Sequence, residues 1–274
     1  MSDKEEIVRK SKWDVLMNDF IKKLQTVSQS YDQNTIFQDV CRIFSLSLRG
    51  ALAIQKEEKD AIEDYYQKFV EKYGNDGMMK IGDLFAIVVE ALEMRRTDFL
   101  GHIYEKLNAT KNGFGQFLTP ESVSRFMSMV TFSGIKTSPG NIIKICDPTC
   151  GAGILLIEGA EGFINSGGRQ GDILLFADDL DDTACCITYT QFSLLGYAAI
   201  VRRMDSLSNV VYEGPWYTIG YFAHAMPMRL LVGSNHKISK DIDFKDDGED
   251  EVKEPANSEP INIRELVQEE FDLG

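Results

Sequence analysis

The segment Asp147–Gly153, with the sequence DPTCGAG, carries residue types that bind small ligands. It follows a β-branched run, Asn141–Cys146, that predicts a buried strand, and it precedes an apolar helical stretch that begins at Ile154. Glycines at such a turn let the backbone approach a ligand closely, and the first N–H groups of the following helix are available to bind it. Because ordinary tight turns also use glycine pairs, this segment alone does not distinguish a turn from a site.

Two further carboxylates stand at the ends of predicted strands. Asp179 follows the strand predicted at Asp172–Ala177, and Asp205 follows the one predicted at Ala199–Arg203. The alternation of strands and helices is typical of parallel βαβ units, whose strands all end at one edge of the sheet, where ligands bind. At these positions Asp179 is suited to the two hydroxyls of a ribose and Asp205 to an adenine amine. The alternative is that Asp147, Asp179 and Asp205 are ordinary loop caps.

The turn at Asp147–Gly153 does not match two common phosphate-binding patterns. No Lys-Ser or Lys-Thr pair follows Gly153, so the P-loop pattern is absent, and the G-x-G-x-x-G dinucleotide pattern is absent as well. A carboxylate at Asp147 would repel a pyrophosphate, whereas it suits the cationic amino-acid part of S-adenosylmethionine. The sequence therefore favours S-adenosylmethionine over NAD.

The elements that must position these residues fall into three parts. From Trp13 to Leu107, apolar residues recur at spacings of three and four, with a break at Gly74–Gly77. We therefore predict an α-helical domain over residues 1–110 with no chemistry of its own, and an α/β domain over residues 111–236. Residues 237–274 hold thirteen acidic and five basic side chains, which predicts an acidic, disordered tail.

The charge distribution limits the partners that the chain can bind by itself. Of the net charge of −14, the tail carries −8 and the remaining residues −6. Proteins that grip DNA unaided usually show a basic surface, and the totals show none. Arg125, Arg202 and Arg203 are either a local basic patch or solvated surface arginines.

The location of the chain is predicted from what its sequence contains. No run reaches the ~18–20 apolar residues that span a bilayer, and the first residues contain no apolar signal segment. The five cysteines follow no regular framework, which predicts reduced thiols in the cytoplasm. Cys146, Cys150, Cys185 and Cys186 lack the spacing of a zinc site, so we predict buried thiols and no metal.

Four motifs in order resemble N6-adenine DNA methylases, the modification subunits of type I restriction–modification systems and their relatives. The resemblance covers roughly residues 10–210. Gln191 falls where many members have Asn. The matching segments are LGHIYE followed by Gly115–Pro120, similar to the family's GxFxTP motif; Asp147–Gly153, similar to DPxxGxG; Phe176–Ala184, similar to the acidic strand end; and Asp205-Ser206-Leu207, similar to DSL.

The resemblance implies an α/β fold in which a helical N-terminal domain precedes a Rossmann-like sheet of a methyltransferase that uses S-adenosylmethionine. It implies methylation of adenine N6 in DNA, with a specificity or companion subunit as a further partner. The cofactor-binding residues that it implies are Gln116, Phe117, Leu118, Thr119 and Pro120 around the methionine end, Asp147, Thr149, Gly151, Ala152 and Gly153 around the amino-acid portion, Asp179 at the ribose and Asp205 at the adenine.

The chain departs from the family at the catalytic position. Members carry Asn/Asp-Pro-Pro-aromatic after the fourth strand, where it binds the flipped target base, and this tetrapeptide is absent here. The nearest segment, Glu213–Trp216, is either a degenerate catalytic loop or an ordinary turn with a packed Trp216. Only three strands are recognisable up to Asp205, so we predict a shortened sheet. His224 is either a base or a structural histidine.

Two functions therefore remain open from the sequence. One is an adenine-specific DNA methyltransferase whose catalytic residues are unknown. The other is a non-catalytic relative that binds the cofactor and acts as an interaction or regulatory protein in DNA modification and restriction. A third alternative, that the acidic tail mimics DNA, competes with a simple solvated tail.

Overall fold

The computed structural model describes residues 3–108, 119–132 and 142–225, with side chains from Lys12 onward. Its helices and strands alternate in the second half of the chain, as the sequence predicts. The elements are α1 (Asp3–Val27), α2 (Gln33–Leu52), α3 (Lys56–Met94), α4 (Phe99–Asn108), α5 (Glu121–Phe132), β1 (Ile143–Asp147), α6 (Ile154–Asn165), β2 (Ile173–Asp179), α7 (Asp182–Leu195), β3 (Ala199–Asp205) and β4 (Val210–Tyr217).

The four strands form one sheet in the order β1-β2-β3-β4. Strands β1, β2 and β3 are parallel, which confirms the predicted βαβ units, and β4 runs antiparallel to β3. The turn that was predicted at Glu213–Trp216 is wrong, because these residues lie within β4. Gly214 and Pro215 are typical of turns, but an edge strand tolerates proline because one row of its N–H groups has no sheet partner.

Helix α7 lies at the centre of the packing, and nearly all of its residues are buried. The N-terminal helices pack against its outer side, so α7 is covered by helices on one side and by the sheet on the other. Trp13, Phe37 and Phe99 of the N-terminal helices belong to the same hydrophobic core as Phe192 of α7 and Val201 of β3. The helical part and the sheet are therefore held together by one core.

Helix α3 shows how a local prediction is modified by packing. The residues Gly74–Gly77 were predicted to end a helix, and Gly74 does adopt a left-handed φ of 65°. The helix nevertheless resumes at once and continues to Met94, so the break is a kink rather than a loop. Tyr73, Ile81 and Leu84 are buried on both sides of the kink, and this burial holds the two halves to the core.

The chain divides into the unit Met1–Asn235 and a second unit, His236–Gly274, which lies wholly outside the described residues. The acidic tail predicted at 237–274 is thus not described, and neither are residues 109–118, where the domain boundary near residue 110 was predicted. That boundary stays a prediction. Within the described ranges, no helix has the length and apolar character needed to cross a membrane.

Candidate cofactor-binding site

The candidate site lies at the edge of the sheet where the three parallel strands end. Asp147, Asp179 and Asp205 are the last residues of β1, β2 and β3. Asp147 is level with Ala177, and Asp179 is level with Arg203, so each strand ends two residues beyond its neighbour. At about 3.3 Å per residue, each step is about 7 Å. Because aligned residues of parallel strands share a face, the three carboxylates start from the same face of a stepped edge.

The loop after β1 is folded by its own backbone. The Asp147 Oδ1 atom accepts a hydrogen bond from the Thr149 N–H at 3.0 Å, and the Gly153 N–H donates to the Cys150 carbonyl at 2.8 Å. Gly153 begins α6 with a φ of 86°. A Cβ at this position would lie 2.9 Å from the Phe192 ring, so only glycine fits. The glycine that the sequence singled out is therefore required by conformation and by close packing.

Asp179 joins this loop to the second strand. Its Oδ2 atom accepts from the Gly151 N–H at 2.8 Å, and its Oδ1 atom accepts from the Asp181 N–H at 2.8 Å. The neighbouring Asp178 points to the other face, where it binds the Arg202 guanidinium through two hydrogen bonds of 2.7 Å. The two adjacent acids thus differ in role: Asp178 is neutralised by an arginine, and Asp179 faces the loop.

Asp147 carries a buried atom with unused hydrogen-bonding capacity. Its Oδ2 atom has no hydrogen-bond partner within the described part of the chain. Burial raises the pKa of Asp147, and the nearby Asp179 and Asp178 carboxylates raise it further. A buried acceptor without a partner is costly, and a cationic donor from a ligand would satisfy it. The residues present therefore fit the ammonium group of S-adenosylmethionine.

Two polar residues of α7, Thr188 and Gln191, also hold the loop. The Thr188 Oγ1 atom donates to the Gly151 carbonyl at 2.8 Å, and the Gln191 Nε2 atom donates to the Ala152 carbonyl at 3.2 Å. The sequence reasoning did not assign either residue to the loop. The available signal was their spacing of three on a helix whose other residues are mostly apolar, which places both on one inward face.

The segment predicted to surround the methionine end of the cofactor, residues 116–120, is described only in part. Gln116, Phe117 and Leu118 lie outside the described residues. Thr119 and Pro120 directly precede α5, whose first residue, Glu121, forms an ion pair with Arg95. Helix α5 packs on α6 through the Ser128 hydroxyl, which donates to the Glu158 carbonyl at 2.6 Å. The described contacts do not bring Thr119 and Pro120 to the three strand ends.

Asp205 is half-buried and caps its own turn. Its Oδ1 atom accepts from the Leu207 N–H at 3.0 Å and from the Ser208 N–H at 3.3 Å. Hydrogen bonds from Ser208 and Leu207 lower the pKa of Asp205. The Ser206 hydroxyl donates to the Pro148 carbonyl, which links the turn after β3 to the loop after β1. Asp205 therefore lies near the loop, and its contact with an adenine stays a prediction.

Trp216 is not available to stack on a base. It is 4% exposed, packs edge-to-face on Tyr189 with a centroid distance of 6.0 Å, and is covered by the Arg49 guanidinium at 4.4 Å from its ring. His224 is half-buried, and its Nδ1 atom lies 3.5 Å from the position that a Cβ of Gly171 would occupy. Gly171 immediately precedes β2, so His224 lies at the amino end of the strands, away from the three carboxylates.

The cysteines near the site are mostly buried. Cys150, Cys185 and Cys186 are covered by the core, whereas Cys146 is exposed. Burial raises the pKa of Cys150, and it raises the pKa of Cys186 to about 12, so these thiols stay protonated. In the part of the chain that the structure describes, no group of three or more His, Cys, Asp or Glu side chains is placed to bind a metal ion.

Parallel strands that end in acidic residues at one edge of a sheet are typical of Rossmann-like proteins, whose ligands bind at this edge. Residues 95–214 match the family model described as N-6 DNA Methylase. The match covers less than half of the chain and confirms the resemblance to N6-adenine DNA methylases seen in the sequence.

Two solved structures are similar to this chain at low sequence identity and with TM-scores below 0.5. One is a class I S-adenosylmethionine-dependent methyltransferase from Listeria monocytogenes, with 15% identity, a TM-score of 0.41 and coverage of 74% of this chain and 57% of that chain. The other is the methyltransferase subunit of a type I restriction–modification system from Streptococcus thermophilus, with 16% identity, a TM-score of 0.40 and coverage of 73% and 59%. This chain thus spans less than two thirds of either. No curated protein matches the sequence.

Proposed function

We propose that this chain binds S-adenosylmethionine at the carboxyl edge of β1, β2 and β3, as the cofactor-binding part of an adenine-specific DNA methyltransferase. The observation that carries the proposal is the buried Asp147 Oδ2 atom, which has no hydrogen-bond partner among the described residues, beside a loop that Asp179 holds in place. When bound, the cofactor supplies an electrophilic methyl group on a sulfonium. The nearby Arg202 and Arg203 are both engaged with acidic side chains, which leaves the edge suited to a cation.

Each residue of the edge has a role in this proposal. Asp147 accepts from the ammonium group of the cofactor, and the Ala152 N–H binds its carboxylate. Among the described contacts, the other N–H groups of the loop from Thr149 to Gly153 already donate within the protein. Asp179 keeps one lone pair on each oxygen for the ribose hydroxyls, because each oxygen already accepts one backbone N–H. Asp205 accepts from the adenine amine, and the segment from Gln116 to Pro120 covers the methionine end.

We infer that the target base is presented by a companion polypeptide or by residues beyond those described. Trp216, the aromatic residue of the nearest catalytic-like segment, is covered on all sides by this chain. Strand β1 pairs with β2 on one side and has no strand on its other side within the described residues. Helix α5 also exposes apolar side chains that a partner would cover: Val123, Phe126, Met127, Met129 and Val130 are each 45–67% exposed.

The burial of Trp216 also favours a second candidate function. A non-catalytic relative would keep the cofactor site and would have no need for an exposed aromatic ring at the base. In this alternative, the chain senses or binds S-adenosylmethionine and acts as an interaction protein in DNA modification or restriction. Both candidates place the chain in the cytoplasm, which its five unpaired cysteines support.

Calorimetry with S-adenosylmethionine tests the shared part of both candidates. The wild-type chain is expected to bind the cofactor. Asp147→Asn is expected to weaken binding because the neutral amide cannot form an ion pair with the ammonium group. Absence of binding by the wild type would remove the proposal. A radiolabelled methyl-transfer assay on unmethylated DNA then separates the candidates. Transfer that Asp147→Ala abolishes supports the enzyme, and tight binding without transfer supports the non-catalytic relative.

A further inference from the structure

The side-chain amide of Gln191 in α7 forms all four hydrogen bonds that it can form. Its side chain is fully buried, and its Oε1 atom accepts from the Phe99 N–H at 2.7 Å and the Leu100 N–H at 3.1 Å. Its Nε2 atom donates to Asp98 Oδ1 at 2.9 Å and to the Ala152 carbonyl at 3.2 Å. An amide has two donors and one oxygen with two lone pairs, so every position is satisfied. Gln191 thus joins the start of α4 to the loop.

Asp98 completes this connection from the side of α4. It is 2% exposed, and its Oδ1 atom also accepts from the Gly101 N–H at 2.7 Å, as an N-cap does. A Cβ at Gly101 would lie 1.9 Å from Asp98 Oδ2 and 2.6 Å from the Ala152 Cβ. The start of α4 therefore packs on the loop with no room for a single methyl group.

The contacts from α7 orient two successive peptide groups of the loop. In a trans peptide the carbonyl of one residue and the N–H of the next lie in one plane and point in opposite directions. Because Thr188 holds the Gly151 carbonyl, it directs the Ala152 N–H away from α7. Because Gln191 holds the Ala152 carbonyl, it keeps the Gly153 N–H directed at the Cys150 carbonyl, and this hydrogen bond of 2.8 Å closes the turn. These N–H groups belong to the turn that opens α6.

We propose that Thr188, Gln191 and Asp98 are positioning residues for the cofactor. They act through the loop. Thr188 directs the Ala152 N–H, which has no hydrogen-bond partner among the described contacts, towards the carboxylate of S-adenosylmethionine. Gln191 and Asp98 hold the turn that presents this N–H. The inference rests on the proposed function, since it concerns the same cofactor. It assigns a role in cofactor binding to the helical segment that begins at Asp98, for which the sequence predicted no chemistry of its own.

A matched pair of glutamines separates positioning from general stability. Gln170, before β2, also donates through Nε2 to two carbonyls, those of Leu195 at 3.0 Å and Gly196 at 2.8 Å, but at the opposite end of the strands. Gln191→Leu and Gln170→Leu are both expected to lower the Tm. Only Gln191→Leu is expected to raise the Kd for S-adenosylmethionine, by about tenfold or more, the effect of losing a buried hydrogen bond that orients a binding group.

Thr188 provides a second test with smaller substitutions. Thr188→Val keeps the shape and removes the hydroxyl, so it is expected to raise the Kd about tenfold, whereas Thr188→Ser keeps the hydroxyl and is expected to restore binding. Hydrogen exchange at Ala152 and Gly153 is expected to quicken in Thr188→Val and not in Thr188→Ser. A Kd within twofold of wild type in both Gln191→Leu and Thr188→Val would overturn the inference and leave the proposed function standing. A wild type that does not bind the cofactor would overturn both.

Discussion

The two ends of the parallel strands use similar polar residues in different ways. At the amino end, these residues pair with one another. Glu161 accepts from both Arg96 and Tyr197. Gln170 holds two carbonyls of the turn before β3, and the Thr218 hydroxyl donates to the Tyr197 carbonyl at 2.6 Å and accepts from the Ala199 N–H at 2.9 Å. This end of the sheet is a closed network that stabilises the fold.

At the carboxyl end, the pairing is incomplete. In the part of the chain that the structure describes, Asp147 keeps a buried oxygen without a partner, and Gly153 precedes a helix in a left-handed conformation. Asp179 accepts from only one backbone N–H at each oxygen among the contacts described. The polar residue types at the two ends are much the same, so composition does not distinguish them. The difference is that the acidic carboxyl end keeps unused carboxylate acceptors among the described contacts, which supports the proposed ligand site there.

The largest expected effect is the loss of cofactor binding in Asp179→Ala. This change removes a charged acceptor for the ribose and frees the Gly151 N–H, which together are worth about 3 kcal/mol, or about a hundredfold in Kd. Calorimetry measures it. The control at the amino end is Glu161→Gln, which is expected to lower the Tm and leave the Kd unchanged. An Asp179→Ala chain that binds within threefold of wild type would contradict the comparison.

The glycines provide the second test. Gly153→Ala places a Cβ at 2.9 Å from the Phe192 ring and forces alanine to a φ of 86°, so it is expected to cost about 2–3 kcal/mol of unfolding free energy and to weaken cofactor binding. Gly167→Ala at the amino end has a φ of 100° with no atom within 4 Å, so only the conformational cost of about 1–2 kcal/mol applies. Urea titrations compare the two. Equal losses of unfolding free energy in the two variants would show that the close contact with Phe192 adds no further cost at Gly153.

The third test follows cofactor affinity with pH. Asp147 must be ionised to bind an ammonium group, so affinity is expected to be complete above the pKa of Asp147 and to fall as the pH drops through it. Because burial raises the pKa of Asp147, this fall begins at a higher pH than for an exposed aspartate. The Asp147→Asn chain is expected to bind weakly at every pH without this fall. If the wild-type affinity stays constant down to the pH at which the fold is lost, Asp147 is not the ammonium ligand.

The smallest expected effect concerns stability rather than binding. Burial raises the pKa of Asp98 to about 6, against the opposing effects of Gln191, His102 and the Gly101 N–H. Because the folded pKa is above the unfolded value, the stabilisation is complete below pH 4 and is lost as the pH rises through about 6. We expect Asp98→Asn to remove this loss, which is on the order of 2 kcal/mol. Its unfolding free energy relative to wild type should therefore rise between about pH 4 and about pH 6, and a constant difference would show that Asp98 does not titrate there.

The periodicity of the chain predicted most of the fold. Strands β1, β2 and β3 and the helices that connect them were recognisable from β-branched runs, glycine turns and apolar spacing, all of which are local signals. Strand β4 was missed because Gly214 and Pro215 suggest a turn, while the pairing with β3 that makes this segment a strand is a tertiary contact. Gly74 was recognised as a break, but its context in the core turned the break into a kink.

The candidate site, like the fold, was predictable only in part. Asp147, Asp179 and Asp205 follow from the rule that parallel strands end at one edge. Gln191 and Asp98 do not follow from any local rule, since the amide joins backbone groups that lie 92 and 39 residues away along the chain. The covered position of Trp216 depends likewise on Arg49 of α2, which is remote in the sequence.

The chain's local chemistry is thus sufficient to specify the βαβ pattern, the glycine turn, the acidic strand ends and the resemblance to N6-adenine DNA methylases, because each depends on residues that are close in sequence. Packing between distant segments assigns the roles within that framework. It buries Trp216, pairs Asp178 with Arg202, leaves Asp147 with an unused oxygen and brings Asp98 and Gln191 to the loop. The physical reason is that burial and hydrogen-bond pairing depend on neighbours in space.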